Sequence, residues 1–381
     1  MSTDHVGESV GVSEPNGVRG TARSSGRSAS ALRRAVQVVL GLGALALVLS
    51  RSDPAGLAAA LKATRAAYLP IAILASLTVT WLMAFRWKLI LEVRGKKLRT
   101  LKLFAYYLIG IFFSNCVPGG SVSLDVARLI YVDRDIRDKA FVTSTLVFER
   151  VVGLFAVLIT GLAATIAARS YLPDGNGVYV VEAILGAGLV LAVLLMSERV
   201  STRISAAVAR ASASARNKRG GLFARLRLAR VTSAMIRFLD ATAQMKRYHG
   251  MVASTVALSF VIRIVWSLGC YVVAVAMHLP VELPLIFAFI AIYDLIRMLP
   301  ITISGLGIRE WALVALFARV GVGREQALMF SFLAVSPILL NAIAGGLIYI
   351  STAGRIKSRQ QAEVGRQQAE SSRQQAAGGK K

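Results

Sequence analysis

Charge is scarce in this chain. Only 17% of its 381 residues are charged, against about a quarter in an ordinary soluble domain. Acidic residues are scarcer still, 20 against 45 Lys and Arg, which leaves a formal charge of +25. The two cysteines, Cys116 and Cys270, both lie in apolar stretches and make neither a disulfide framework nor a metal site. The three histidines, His5, His249 and His278, are scattered, so they form no ligand cluster and support no Ser-His-Asp set. There is no Walker A sequence and no paired-carboxylate sugar cleft. We therefore expect no enzyme, no cofactor and no metal, and any transport must be passive or coupled to an ion gradient.

What the chain has in abundance is hydrocarbon: 55% hydrophobic residues and a mean hydropathy of +0.61. These residues gather in blocks of about 17–25, the length of helix that crosses roughly 30 Å of hydrocarbon. The reading is an all-α polytopic integral membrane protein with about eight transmembrane helices. The spans fall near Ala35–Ser50, Ala66–Phe85, Leu103–Val117, Phe141–Ala168, Val178–Ser197, Met251–Leu279, Leu283–Pro300 and Ala327–Ile350. Glu310–Val322 is too short to cross alone. Residues 1–34 are polar and read as a disordered basic cytoplasmic tail. A 34-residue polar lead is long for a signal peptide, so Ala35–Ser50 is read as an anchor. Residues 35–350 form the transmembrane domain, and the low-complexity segment 351–381 is a second disordered cytoplasmic tail.

The basic residues sit between apolar blocks, as in short cytoplasmic loops, and no nucleic-acid module surrounds them. Arg86–Lys102 holds seven Lys/Arg and one acid, and Arg199–Gly250 holds twelve and one. Both are placed in the cytoplasm, with Arg86 and Lys88 as interfacial anchors beside Trp87. A surface helix around Leu222–Ile236 is expected in the 199–250 loop, its basic face toward lipid headgroups. The neutral loop at Pro173–Gly177 is external. Both termini then lie in the cytoplasm of a cell with a bacterial-type inner (plasma) membrane.

Counting crossings produces two parity conflicts. The segment Pro118–Val132 has to return to the cytoplasmic side, and Pro300–Val322 has to return to the outside. Each conflict falls on a Pro/Gly-rich stretch, Pro118-Gly119-Gly120 and Pro300-Ile-Thr-Ile-Ser304-Gly305-Leu-Gly307. Irregular backbone at membrane depth is tolerated only where protein buries it or it lines a polar cavity. We therefore expect two broken or re-entrant hairpins entering from opposite faces, the device with which inverted-repeat transporters build a midplane site. Ser121 or Ser123 is expected to cap the helix after the first break, and Ser304 the helix after the second.

Ionisable residues within spans cost about 2.5–3.5 kcal/mol each on insertion scales, yet this chain keeps several. They are Glu149 and Arg150, Arg263, Asp294 with Arg297 one turn on, Asp125 with Arg128, and Arg309 with Glu310. Each pair alone could serve only to fix helix packing. Together, beside helix N-termini and close-approach glycines, they suit a phosphate or other anionic headgroup. The expected partners are thus membrane lipids with anionic headgroups, and not nucleic acid. A competing reading is a non-transporting membrane partner that recruits a lipid- or glycan-modifying enzyme through the 199–250 loop. A membrane transferase is a third, but no donor site is visible.

Three motifs add a resemblance. Asn115-Cys-Val-Pro118-Gly119-Gly120 with Asp125-Val-Ala-Arg128 resembles an Asn-x-x-Pro…Gly-Gly-Asp-x-x-Arg stretch. Phe148-Glu149-Arg150-Val-Val-Gly153 resembles a Glu-Arg-x-x-Gly element. Pro300 to Glu310 resembles a Pro-x-x-x-x-Gly-x-Gly-x-Arg-Glu signature. All three are similar to the lysylphosphatidylglycerol synthase transmembrane region, the flippase-like domain family. One departure stands out: Ser123-Leu124 replaces Gly-Gly before Asp125, with one extra residue after Pro118. The resemblance implies lipid translocation. With only a polar tail after Ile350, a stand-alone member without the synthase domain is expected, its cargo a phospho- or glycolipid. The implied headgroup site comprises Asn115, Pro118, Gly119, Gly120, Asp125, Arg128, Glu149, Arg150, Asp294, Arg297, Pro300, Ser304, Gly305, Gly307, Arg309 and Glu310, with Arg309 the leading cation.

Overall fold

Helix is the only regular structure among the described residues of this computed structural model, which are 52–117, 120–171, 176–196, 248–298 and 307–378, with 46 and 50. The helices are α1 Pro54–Ala63, α2 Leu69–Glu92, α3 Thr100–Cys116, α4 Ser121–Ile136, α5 Lys139–Ala167, α6 Asn176–Met196, α7 His249–Ala276, α8 Leu283–Met298, α9 Ile308–Ala318 and α10 Arg324–Gly378. Four stretches are long and apolar enough to cross a membrane: Ala66–Glu92, Lys139–Ala167, His249–Ala276 and Arg324–Thr352. Thr100–Cys116, Val178–Leu191 and Leu283–Ile296 are apolar but shorter. The expected first span and the surface helix near 222–236 lie outside the described residues. Beyond 350 the backbone differs from the expected disordered tail, since α10 continues to Gly378. Gln, Ala, Glu and Arg are good helix formers, so a repetitive segment built from them still forms helix.

Two pairs of neighbouring helices run antiparallel. Lys102 Nζ meets Asp135 at 2.7 Å and Tyr106 Oη donates to Asp135 at 2.9 Å, while Gly110 lies against Leu124. Rising positions on α3 thus meet falling positions on α4, which makes an antiparallel hairpin. In the same way Phe289 packs on Phe317, with ring centroids 5.2 Å apart, and Tyr293 bonds Arg309, so α8 and α9 form a second hairpin. The first hairpin opens beside the basic 93–99 loop, where Arg94 pairs with Asp138 at 3.5 Å. The second opens at the opposite end, near Arg65 (bonded to the Ala276 carbonyl) and the start of α10.

Each hairpin rests on its own apolar cluster. One gathers Trp87, Leu103, Tyr107, Val132 and Phe148 around the first, and the other gathers Ile286, Phe289, Phe317 and Phe330 around the second. Helices in lipid gain little from hydrophobicity against one another, so small residues and polar contacts must hold them. Both are present. A Cβ on Gly161 would stand 2.8 Å from the Ala291 methyl, and one on Gly269 2.9 Å from that of Ala75. Asn341 on α10 donates to Ser76 Oγ (3.0 Å) and Thr80 Oγ1 (3.2 Å) on α2. Pro337 interrupts α10, and Ser336 Oγ bonds the Leu333 carbonyl at 2.8 Å, the acceptor that the missing proline N–H leaves.

The helix caps differ from expectation. Gly120, at φ 50°, is the N-cap of α4, and Ser121 is the first residue of the helix itself. A left-handed φ suits glycine where serine would be strained. Gly307, at φ 83°, fills the same role for α9, and Glu310 Oε2 accepts from its N–H at 2.7 Å. That carboxylate is one arm of a capping box. Pro118, Gly119, Pro300, Ser304 and Gly305 lie outside the described residues.

Candidate functional site

The charged residues of α2, α4 and α5 form one alternating chain. Glu149 lies ten residues into α5, about 15 Å from its start. Its Oε1 accepts from Arg86 Nη2 at 2.7 Å and from the Tyr107 hydroxyl, and its Oε2 accepts from Arg128 Nη2. Arg86 also donates to Ser259 Oγ at 2.7 Å. The Arg128 guanidinium sits 4.2 Å from the Trp87 ring centroid and 3.9 Å from that of Tyr107, so cation–π contact adds to its ion pairs. Asp125 faces Arg128 at 3.5 Å and Arg150 at 2.5 Å. Arg150 then donates to the Ser121 carbonyl at 2.7 Å, the first residue of α4.

Three arginines and two carboxylates alternate here, leaving one positive charge in excess. Both ends of the chain are arginines, Arg86 and Arg150, and of the two only Arg150 is open. The side chains of Arg86, Arg128 and Glu149 are about 5% exposed, while that of Arg150 is 41% exposed. Buried Nε atoms of Arg86 and Arg128 also lack a hydrogen-bond partner among the described residues. A half-exposed guanidinium at the end of such a chain is a candidate site for an anion.

Two other groups are electrically closed. Arg263 Nη1 meets Asp294 Oδ2 at 2.5 Å, joining α7 to α8. Asp294 thus has a partner on another helix; the Arg297 side chain, which the one-turn spacing set beside it, lies outside the described residues. Arg309 Nε meets Glu310 Oε1 at 2.5 Å, both residues being almost fully buried. Among the described residues, no hydrogen bond or ion pair joins either closed pair to the Glu149 chain. The charged residues expected to line one cavity thus fall, among the described residues, into three separately paired groups. Arg309, expected to lead, is held by its neighbour and by Tyr293. Asn115 turns back on its own helix, donating to the Ile111 carbonyl at 2.8 Å.

Arg86 also corrects the expectation. It is not an interfacial anchor but a buried partner of Glu149, 4% exposed. The missed signal is that α2 runs on to Glu92, which places Arg86 well inside a helix. Tyr107 and Ser259 carried no signal of their own.

The family model of the lysylphosphatidylglycerol synthase TM region matches residues 34–340. The chain belongs to that family. No curated protein and no solved structure matches it. Within this lysylphosphatidylglycerol synthase TM region, the Ser123-Leu124 departure has a structural consequence. Leu124 packs directly on Gly110, with 3.1 Å between its Cγ and the place a Cβ on Gly110 would take. The bulk added to α4 is accommodated by the glycine opposite on α3, and Asp125 keeps its bonds to Arg128 and Arg150.

Proposed function

We propose that this chain is a flippase-like lipid transporter that moves an anionic phospho- or glycolipid headgroup across the inner (plasma) membrane of a bacterial-type cell. It is not an enzyme in this reading. It has eight spans with both termini in the cytoplasm, and the two hairpins re-enter from opposite faces. The observation that carries the reading is the alternating chain from Arg86 to Arg150, with its one excess positive charge at an open side chain. Family membership supports a membrane protein of the flippase-like type.

In the resting state Asp125 balances Arg150. A headgroup phosphate entering at the tip of the first hairpin displaces Asp125 and takes the Arg150 fork in a bidentate, charge-assisted contact. Arg128 is held in place by Glu149 and two rings, so it supplies fixed positive potential without having to move. Opposite hairpins allow that position to open to either face in turn.

The test is lipid flipping in proteoliposomes with labelled phosphatidylglycerol, its aminoacyl form, a polyprenyl-phosphate lipid and neutral phosphatidylcholine. Wild type is expected to flip at least one anionic member faster than phosphatidylcholine. Arg150→Gln should slow it by about tenfold or more, the scale of one lost charged hydrogen bond. Equal rates for wild type and Arg150→Gln would contradict the assignment.

A further inference from the structure

The face of α4 turned away from Asp125 and Arg128 borders a groove. Val122, Val126, Ile130 and Arg134 follow one another at four-residue spacing along it, and Phe113 and Val117 of α3 and Tyr349 of α10 form the facing wall. The cavity is about 410 Å³. Val122, Val126 and Ile130 are 54%, 48% and 48% exposed, so the helix leaves three large apolar side chains in a row half uncovered. From Val122 to Arg134 is twelve residues of helix, about 18 Å, close to the ~15 Å hydrocarbon depth of one leaflet.

Arg134 closes the groove at the basic end. It is exposed and lies 5.3 Å from the Tyr131 ring centroid, and no carboxylate pairs with it among the described residues. A Tyr ring and a free guanidinium at the hydrocarbon edge match the place of a phosphate and its ester region. The apolar length below matches one acyl chain.

We infer that this groove holds one anionic phospholipid, with an acyl chain against Val122, Val126 and Ile130 and the phosphate at Arg134. The site lies on the opposite side of α4 from the charged chain and stands whether or not the protein transports lipid. Phosphatidylcholine carries the same phosphate, but its choline cancels the charge, so Arg134 holds it less tightly than a net-anionic lipid. A second copy of the chain, or the chain's own tail, would fill the groove without lipid.

The experiment is native mass spectrometry of the full, delipidated protein titrated separately with phosphatidylglycerol and phosphatidylcholine. Wild type is expected to retain one phosphatidylglycerol at least tenfold more tightly than phosphatidylcholine. Arg134→Gln should erase that preference, and Val126→Trp, which fills the groove, should lower retention of both lipids. Arg134 is a surface residue, so its variant keeps the test intact even if Val126→Trp does not fold. Equal retention of the two lipids by wild type, a preference that survives Arg134→Gln, or a lipid-free dimer as the main species would each overturn the inference.

Discussion

Glu149 accepts hydrogen bonds from two arginines and a tyrosine while only 4% exposed. Neutralising it leaves Arg86 and Arg128 buried without their shared anion, a defect worth about 3–5 kcal/mol where one partner of a buried pair is removed. Glu149→Gln should therefore lower the thermal unfolding temperature in detergent markedly. Arg150→Gln, at a half-open side chain whose partner Asp125 keeps Arg128, should lower it far less, at a cost of about 1 kcal/mol. Equal unfolding temperatures for wild type and Glu149→Gln would show that the network does not hold the helices. The ionisable residues themselves were legible in the sequence, because a charge inside an apolar run stands out. Their partners were not. Asp294 has Arg297 one turn away yet bonds Arg263 on another helix, and Arg86 finds Glu149 63 positions along the chain. Such pairings depend on which helices meet, which spacing alone does not encode.

At the level of elements, the long apolar helices were the most readable feature, since runs of about 17–25 apolar residues stand out in a sequence. Their packing was less readable. A Cβ on Gly345 would lie 1.9 Å from the Leu108 carbonyl oxygen, so α10 and α3 touch backbone to backbone. Gly345→Val should force them apart and cost at least the 1–3 kcal/mol typical of overpacking. Gly153, with nothing within 4 Å of its virtual Cβ, is the control. There Gly153→Ala should leave stability unchanged or raise it by roughly 0.5–1 kcal/mol, through the helix preference for alanine. Thermal unfolding of the two variants side by side checks both, and a harmless Gly345→Val would refute the close contact. Gly153 stands in the Glu-Arg-x-x-Gly element and Gly345 in no motif, yet the close contact is at Gly345. Each sits in an apolar helix, and the neighbouring helix decides between them.

The whole molecule has two similarly built halves of opposite direction. Helices α2 to α5 place a hairpin between long helices at the basic end, and α7 to α10 repeat the arrangement from the other end. Lys97 and Arg319 are exposed at opposite ends. As single cysteines in a Cys116→Ser, Cys270→Ala background, Arg319→Cys should react with an impermeant thiol reagent on intact cells, and Lys97→Cys only after permeabilisation. Reaction of both from outside would contradict the topology. A transport path further requires that the first hairpin's tip open to both sides. The chain carries its own probe there, because Cys116 ends α3 and is exposed while Cys270 is buried. The decisive measurement is labelling of Cys116, in a Cys270→Ala background, from each face of oriented proteoliposomes. The account expects reaction from both faces, slowed by an anionic lipid and not by a neutral one. Reaction from one face only, with no lipid able to change it, would contradict transport through this site.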